Sequence, residues 1–488
     1  MALSMLVALY TTRIVLEMLG VVDFGIYNVV GGLVVLAGSL VNSMASASQR
    51  FLSFEIGKAN FDKLKRTFSI TLSIYLIFSI LVLILSETVG LWFFFNKLNI
   101  PDERYFASFW VYQLSVFAFL ANILRVPFNA SIIAHEKMGF YAWTSFLEVF
   151  LKLLLIYCLI LFDFDKLILY SILTLVVVFI TTLIYILYCY FNFPETRYKF
   201  VYEKEIFISI MNFSGWTIFD STSNVAKKEG VNILLNIFFN STINSARGIA
   251  FQVSNQVTSF VGNFQTAVSP QMTKYYASNE FFKLKTLYFR SSKFTFYLLY
   301  ALSLPVILEM EILLGWWLSE VPEYTLIFVR LIIINVLIDS FAGTTNLLVQ
   351  ATGNIKNYQV FSGIIIFLNL PISYLFLENG YPPETTIIIS IIISAMLVFG
   401  RLIIANSIIN FNLYDYFKNV IIRNIEVCIL CSLVPVYIFL NSELGLSSFL
   451  LIFFTSIIST MISIYIVGLE INEKTIIRDL IINKIKFE

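Results

Sequence analysis

Twelve ionisable side chains interrupt otherwise apolar stretches of this chain: Arg13, Glu17, Arg125, Glu148, Lys152, Asp220, Lys227, Lys228, Glu229, Arg247, Arg330 and Asp339. A charge held at membrane depth costs about 3 kcal/mol, so each is expected to face a partner or a water-filled cavity. Seven are cations and five are carboxylates, a set suited to solvating an anion. Arg offers phosphate a planar bidentate fork, and Lys offers a point charge. Some of these residues also have structural explanations. Arg13 with Glu17, and Glu148 with Lys152, are spaced i,i+4 and can neutralise each other on a helix. Arg125 lies close enough to a polar connector to snorkel, and Arg247 falls near the end of a span. Asp220 and Asp339 are the isolated acids, and they are the candidates for ion coupling.

Uncharged polar residues add two stripes at helical spacing. One holds Ser39, Asn42, Ser43 and Ser46; the other holds Gln252, Asn255, Gln256, Ser259, Asn263 and Thr266. Small polar residues also pack helices together in membranes. A ladder of amides along one face, however, suits a hydrated path for sugar. No phosphate-binding loop, metal-ligand spacing or long connector able to hold a catalytic site is present, so neither enzymatic activity nor a cofactor is expected. Nothing points to a nucleic-acid partner. Cys428 and Cys431 form a C-x-x-C within an apolar run, where packing is the better explanation, and His135 is expected on the solvated surface.

The elements that must position these groups are membrane spans. With 59% hydrophobic and 13% charged residues, and a mean hydropathy of +0.85, a soluble fold is excluded. Apolar runs at 72–85, 153–162, 167–190, 387–399 and 449–467 are joined by short connectors, and only helices satisfy their own backbone in hydrocarbon. Fourteen spans are read, centred near Leu9, Leu36, Leu81, Phe119, Leu155, Val177, Asn224, Ser259, Leu302, Ile338, Phe367, Ile392, Ile429 and Ser456. The fold expected is an all-α polytopic membrane protein.

Connectors after even-numbered spans, with the tail, hold 22 of the 32 Lys and Arg, among them Arg50, Lys63, Arg66, Lys274, Lys293 and Arg401. The opposite connectors hold only Lys97, Arg104 and Lys166. Short basic loops stay inside, which predicts cytoplasmic termini in the cell (inner) membrane. No cleavable signal peptide is expected. The first span is short, and its true start is expected upstream of Met1.

The chain also repeats itself. Phe61-Asp62-Lys63-Leu64-Lys65 returns as Phe281-Phe282-Lys283-Leu284-Lys285, and Gly90-Leu91-Trp92 returns as Gly315-Trp316-Trp317. Gly25 corresponds to Gly248, and Asn42 to Asn263, with offsets between 219 and 225 throughout. The organisation expected is a six-helix lobe over 1–195, its parallel copy over 196–415, and two added helices over 416–488. Parallel repeats of this kind occur in transporters that rock lobe against lobe around a cargo. The alignment also moves Lys227, Lys228 and Glu229 from an apparent loop into a long, polar seventh span over about 209–238.

Several segments resemble the lipid-linked polysaccharide flippases of the Wzx type. They are YTTRIVLEMLG at 10–20, DFGIYNVVGG at 23–32, SQRFLSFE at 48–55, NASIIAHEKM at 129–138, GVNILLNIFF at 230–239 and ARGIA at 246–250. These flippases form a branch of the multidrug/oligosaccharidyl-lipid/polysaccharide exporter superfamily. The resemblance implies two six-helix bundles around a central cavity, plus two extra helices. It implies movement of an undecaprenyl-diphosphate-linked oligosaccharide to the outer leaflet for surface polysaccharide such as O-antigen, with H+ or Na+ as coupling ion. Membrane lipid, a polysaccharide polymerase and chain-length proteins would be its partners. Within that expectation Arg13, Lys152, Lys227, Lys228 and Arg330 would hold the diphosphate, with Arg125 and Arg247 as weaker candidates. Asn42, Gln252, Asn255, Gln256 and Asn263 would line the glycan path. The competing expectation in the same fold is a cation-coupled multidrug exporter, whose cavity would be dominated by acids and aromatics.

Overall fold

A computed structural model describes residues 11, 14–15, 17–20, 22–27, 38–98, 100–162, 164–239, 241–318, 321–442, 445–470 and 473–475. Among these, every element is a helix. The centres of the first two expected spans, near Leu9 and Leu36, lie outside them.

In chain order the membrane-length helices are α1 (Gly38–Gly57), α2 (Phe61–Asn96), α3 (Tyr105–Ala134), α4 (Met138–Leu161) and α5 (Lys166–Asn192). Then come α6 (Lys204–Phe238), α7 (Ser241–Ala277), α8 (Phe281–Trp317) and α9 (Thr325–Thr352). The last are α10 (Lys356–Glu378), α11 (Thr385–Ile409), α12 (Leu413–Asn441) and α13 (Leu446–Gly468). Residues 22–27 are helical as well, ahead of α1. Ten of these helices are long and apolar enough to cross a membrane, and the chain is a multi-pass membrane protein. The three that fall short of that apolarity are α1, α6 and α7, the helices carrying the polar stripes and the lysine pair. Polar helices stay in a bilayer only when their polar faces are sheltered.

Local sequence sets the boundaries. Asn60 caps α2 by accepting from the Lys63 amide, and Asp165 caps α5 by accepting from Leu167 and Ile168. The turn before α2 has Ala59 in the left-handed region, and the turn before α8 has Asn279 there, 220 positions later. In both, the next residue's N–H returns to a carbonyl five positions back: Asn60 to Glu55, and Glu280 to Tyr275. The repeated sequence therefore builds the same turn twice. Within α2 a π-helical turn spans Ser86–Gly90, and the Tyr112 hydroxyl donates to the Ser86 carbonyl at 2.8 Å. That hydroxyl occupies the space a Cβ on residue 90 would need, which requires Gly90.

The chain divides into two compact units, Met1–Ser221 and Thr222–Glu488, with the division inside α6. In the first unit, α3 packs on α5, α1 and α2. In the second, α9 is the hub and touches α7, α8 and α11, while α13 packs on α12 and α8. Where α9 meets its neighbours it carries Ser340, Gly343, Thr344 and Thr345, small side chains that let helices approach closely.

Candidate functional site: a cationic cavity

Four helices of the second unit enclose a cavity of about 290 Å³. From α6 come Asn224, Lys227, Lys228 and Val231; from α7, Arg247, Phe251, Ser254, Asn255 and Thr258. From α9 come Ile332, Asn335, Val336 and Asp339, and from α11, Thr386, Ile387 and Ser390. Each set recurs at intervals of three or four residues, so each helix presents one face to the cavity.

Arg247 is the best-defined charge. It begins on the second turn of α7, is only 6% exposed, and donates from Nη1 to the Lys228 carbonyl at 3.1 Å and to Asn232 Oδ1 at 3.4 Å. Its guanidinium carbon lies 4.7 Å from the Phe251 ring centroid, and Lys228 Nζ lies 5.5 Å from the same ring. Its Nε has no hydrogen-bond partner among the described residues. Lys227, half-buried, feels Asp339 as an attractive charge and Arg247 and Arg401 as repulsive ones. Asp339 accepts from Asn335 Nδ2 at 3.2 Å, and Asn335 Oδ1 has no partner among the described residues. Glu229, exposed and outside the lining, attracts Arg247. The lining itself carries three cations and one carboxylate, a net charge of two positive.

The hydroxyls are largely committed to backbone. Thr258 donates to Ser254 O at 3.0 Å, Ser390 to Thr386 O at 3.0 Å, and Thr386 to Pro383 O at 2.9 Å. The unspent polar capacity of the lining thus rests on Arg247, the two lysines and Asn335.

The sequence candidates divide accordingly. Lys227, Lys228, Arg247, Asn255 and Asp339 meet at this cavity. Lys227 and Lys228 lie inside α6, where the repeat alignment put them. Gln252 and Gln256 are exposed on α7 outside the lining, and Asn263 donates to the Ser259 carbonyl at 2.7 Å. Arg330 is drawn elsewhere, donating from Nε to the Ile307 carbonyl at 3.2 Å. In the first unit, Glu148 accepts Lys152 at 2.9 Å and faces Arg125 at 3.6 Å, so one carboxylate serves two cations. Arg125 also donates to Thr181 Oγ1 at 3.3 Å. Asn42 is exposed on α1, and its neighbour Ser43 meets Ser221 at 3.0 Å. Asp220 is half-buried on α6 in the first unit, and Arg13 lies outside the described residues.

Sequence reasoning missed Asn224, Ser254, Asn335 and Ser390. Asn335 was detectable, because it precedes Asp339 by one helical turn. Arg401, expected in a basic connector, lies within α11 and donates from Nε to Ser362 Oγ at 2.9 Å. Eight further residues of helix follow it, so hydropathy misplaced the end of that span.

No family model matches the chain, and no curated protein matches it. Among solved structures, a MATE protein crystallised with MaD3S is similar at a TM-score of 0.68 and 14% identity, covering 83% of this chain and 93% of that one. An outward-facing multidrug resistance MATE transporter of the MOP superfamily is similar at 0.66 and 13%, covering 83% and 93%. A MOP superfamily transporter from Pyrococcus furiosus, described by a reversed polarity of its binding pocket, is similar at 0.62 and 13%, again covering 83% and 93%. At such identities the likeness establishes architecture: the chain has the fold of the MATE transporters of the MOP superfamily.

Proposed function

We propose that this protein is a transporter that carries an undecaprenyl-diphosphate-linked oligosaccharide across the cell membrane, with the diphosphate seated in the cationic cavity. The observation that carries the proposal is Arg247, buried to 6% exposure in the cavity, with Nε unpartnered among the described residues and two lysines in the same lining. A diphosphate cannot enter hydrocarbon without compensating charge, and a guanidinium with free N–H capacity supplies both charge and directed hydrogen bonds. The cavity volume lies at the small end of ligand pockets, about 300–1,000 Å³. It suits a headgroup, with the lipid tail left in the bilayer and the glycan directed along the amides of α7.

In this proposal 1–195 and 196–415 are lobes that rock against each other, 416–488 is an added helix pair, and both termini face the cytoplasm. Because Glu148 serves both Arg125 and Lys152, the first unit offers less uncompensated charge, and the diphosphate is assigned to the second.

A second reading, export of cationic drugs coupled to an ion, is favoured by one feature: Asp339 faces the same cavity beside Asn335. Three cations in that lining oppose it, and the Pyrococcus protein is described as having a binding pocket of reversed polarity that suggests a different function. Deleting the gene separates the two. Lipid-linked oligosaccharide accumulating in the cytoplasmic leaflet supports the flippase; unchanged glycan with new sensitivity to cationic dyes supports the exporter.

A further inference from the structure

The helix α8 breaks at one residue, and that residue is a buried acid. Glu309 has φ −100° and ψ 18° inside an otherwise helical run, one turn after Pro305. Its side chain is 1% exposed, and its Oε2 has no hydrogen-bond partner among the described residues. Two turns of α8 lie beyond it before Trp316 and Trp317. Apolar residues adjoin it in sequence, with Met310 and Leu304 both in the buried core of this unit. The break leaves a mark on the backbone. The Ile307 carbonyl, two residues before the break, accepts from Arg330 Nε on α9 at 3.2 Å.

An ionised carboxylate in such a place needs a counter-charge or water, and a protonated one needs neither. At this end of the helices packed on α8, the charged groups are Arg247 on α7, Arg330 on α9 and Glu323 in the connector before it. Tyr324 in that connector, packed on the same core, and Tyr437 on α12 are titratable, and this end of α13 offers none among the described residues. Neither arginine pairs with Glu309 among the described residues: Arg247 donates from Nη1 to the Lys228 carbonyl and Asn232, and Arg330 donates to Ile307. On α8 itself the nearest is Glu311, which is exposed.

We propose that Glu309 is a proton-binding site and that its ionisation controls the bend of α8. With the proton on, the carboxyl stays in the apolar core and the break keeps the form seen here. Loss of the proton drives the side chain towards water or a cation, and α8 must change its bend to let it out. The two segments of α8 on either side of the break are then free to reorient in a proton-dependent step.

Two measurements on the full chain in lipid vesicles test this. A membrane-permeant carbodiimide adds to a protonated carboxyl to give an O-acylisourea, which rearranges to a stable N-acylurea detectable by peptide mass spectrometry. Glu309 should be labelled at acidic pH and progressively less as pH rises; Glu309→Gln should show no label at that position. Spin labels either side of the break should report a pH-dependent distance that Glu309→Gln freezes near its acid value and Glu309→Asp restores with a shifted midpoint. Absence of labelling at every pH overturns the proposal, as does a distance profile unchanged in Glu309→Gln. If Glu309→Gln misfolds, labelling of the unaltered protein still decides. Neither measurement uses cargo, so failure here leaves the anionic-cargo proposal standing.

Discussion

Replacing Lys293 with Met should loosen the C-terminal helix pair from the rest of the second unit. Lys293 is 1% exposed and donates to Glu473 Oε2 at 3.0 Å, to Glu473 Oε1 at 3.2 Å and to Glu470 Oε1 at 3.3 Å. Arg290 reaches Glu473 at 3.2 Å, and Arg423 reaches Glu470 at 3.7 Å. The cluster thus ties α8 and α12 to the segment that follows α13. Trp316 and Trp317, at the other end of α8, have the exposure of an interfacial aromatic pair. Lys293 lies 23 residues before Trp316, about 35 Å along the helix and past a hydrocarbon core of about 30 Å. The ions are therefore sheltered by protein at the membrane boundary. Removing one partner of a buried pair costs about 3–5 kcal/mol, because the other charge is stranded. Glu473 would keep Arg290 and the Glu470 amide at 2.9 Å, which places the cost at the lower end, about 3 kcal/mol. That is roughly a hundredfold in the unfolding equilibrium. Pairing Lys293→Met with Glu473→Gln should recover most of it. Thermal or denaturant unfolding in detergent, followed by tryptophan fluorescence, measures both. A single variant as stable as the parent, or a double variant weaker than the single, would refute the reasoning.

Acid should weaken the clasp in which Arg104 grips Asp23 and Asp165. Burial works to raise the Asp165 carboxyl, but the Ile168 amide and Arg104 outweigh it and hold it below the usual carboxylate range. Its stabilisation is therefore complete above the unfolded value of about 3.9 and is lost as pH falls through the folded value. The stability gap between the parent and Asp165→Asn should shrink on going from pH 6 to pH 3; a constant gap would count against this. Gly230→Val should lower folded yield, because a Cβ there would sit 2.5 Å from Leu370 Cδ2. The expected cost is about 1–3 kcal/mol, checked by size-exclusion recovery after mild heating. Arg330→Gln should cost about 1.5–3 kcal/mol of stability through the lost bond to Ile307 while leaving transport per folded molecule near normal. Cargo binding lost together with that stability would return Arg330 to the site.

Much of the fold was legible because membrane spans are written in hydropathy, and the repeat at offsets near 220 located the turns that hydropathy blurred. The turns at Ala59 and Asn279 show why: different residues, followed by the same Phe-x-Lys-Leu-Lys run, close the same hydrogen bonds. The lysine pair on α6 was legible only through that repeat, since its immediate neighbours read as a loop. Site membership was less legible. Arg330 and Arg247 are each the single arginine of a helix, α9 and α7, and neither position names its partner in the sequence. What separates them is packing: Arg330 meets the Ile307 carbonyl two residues before the break in α8, and Arg247 meets the cavity. A break set by one residue's backbone angles leaves no periodicity to read. Glu309 escaped for the same reason, since its backbone angles leave no trace in the sequence. Ser254 and Ser390 needed the packing of α9 against α7 and α11, which no single-helix pattern contains.

The account rests on the cavity of α6, α7, α9 and α11 carrying a diphosphate, and leaflet transfer in purified vesicles tests it most directly. A fluorescent undecaprenyl-diphosphate glycan, read by quencher accessibility, should cross at a rate set by protein content. Arg247→Gln and Lys228→Ala should each slow it about tenfold or more, the loss expected for one charge-assisted phosphate bond of roughly 1.5–3 kcal/mol. Transfer no faster than in protein-free vesicles, or equal transfer of the same glycan lipid lacking its diphosphate, would contradict the account.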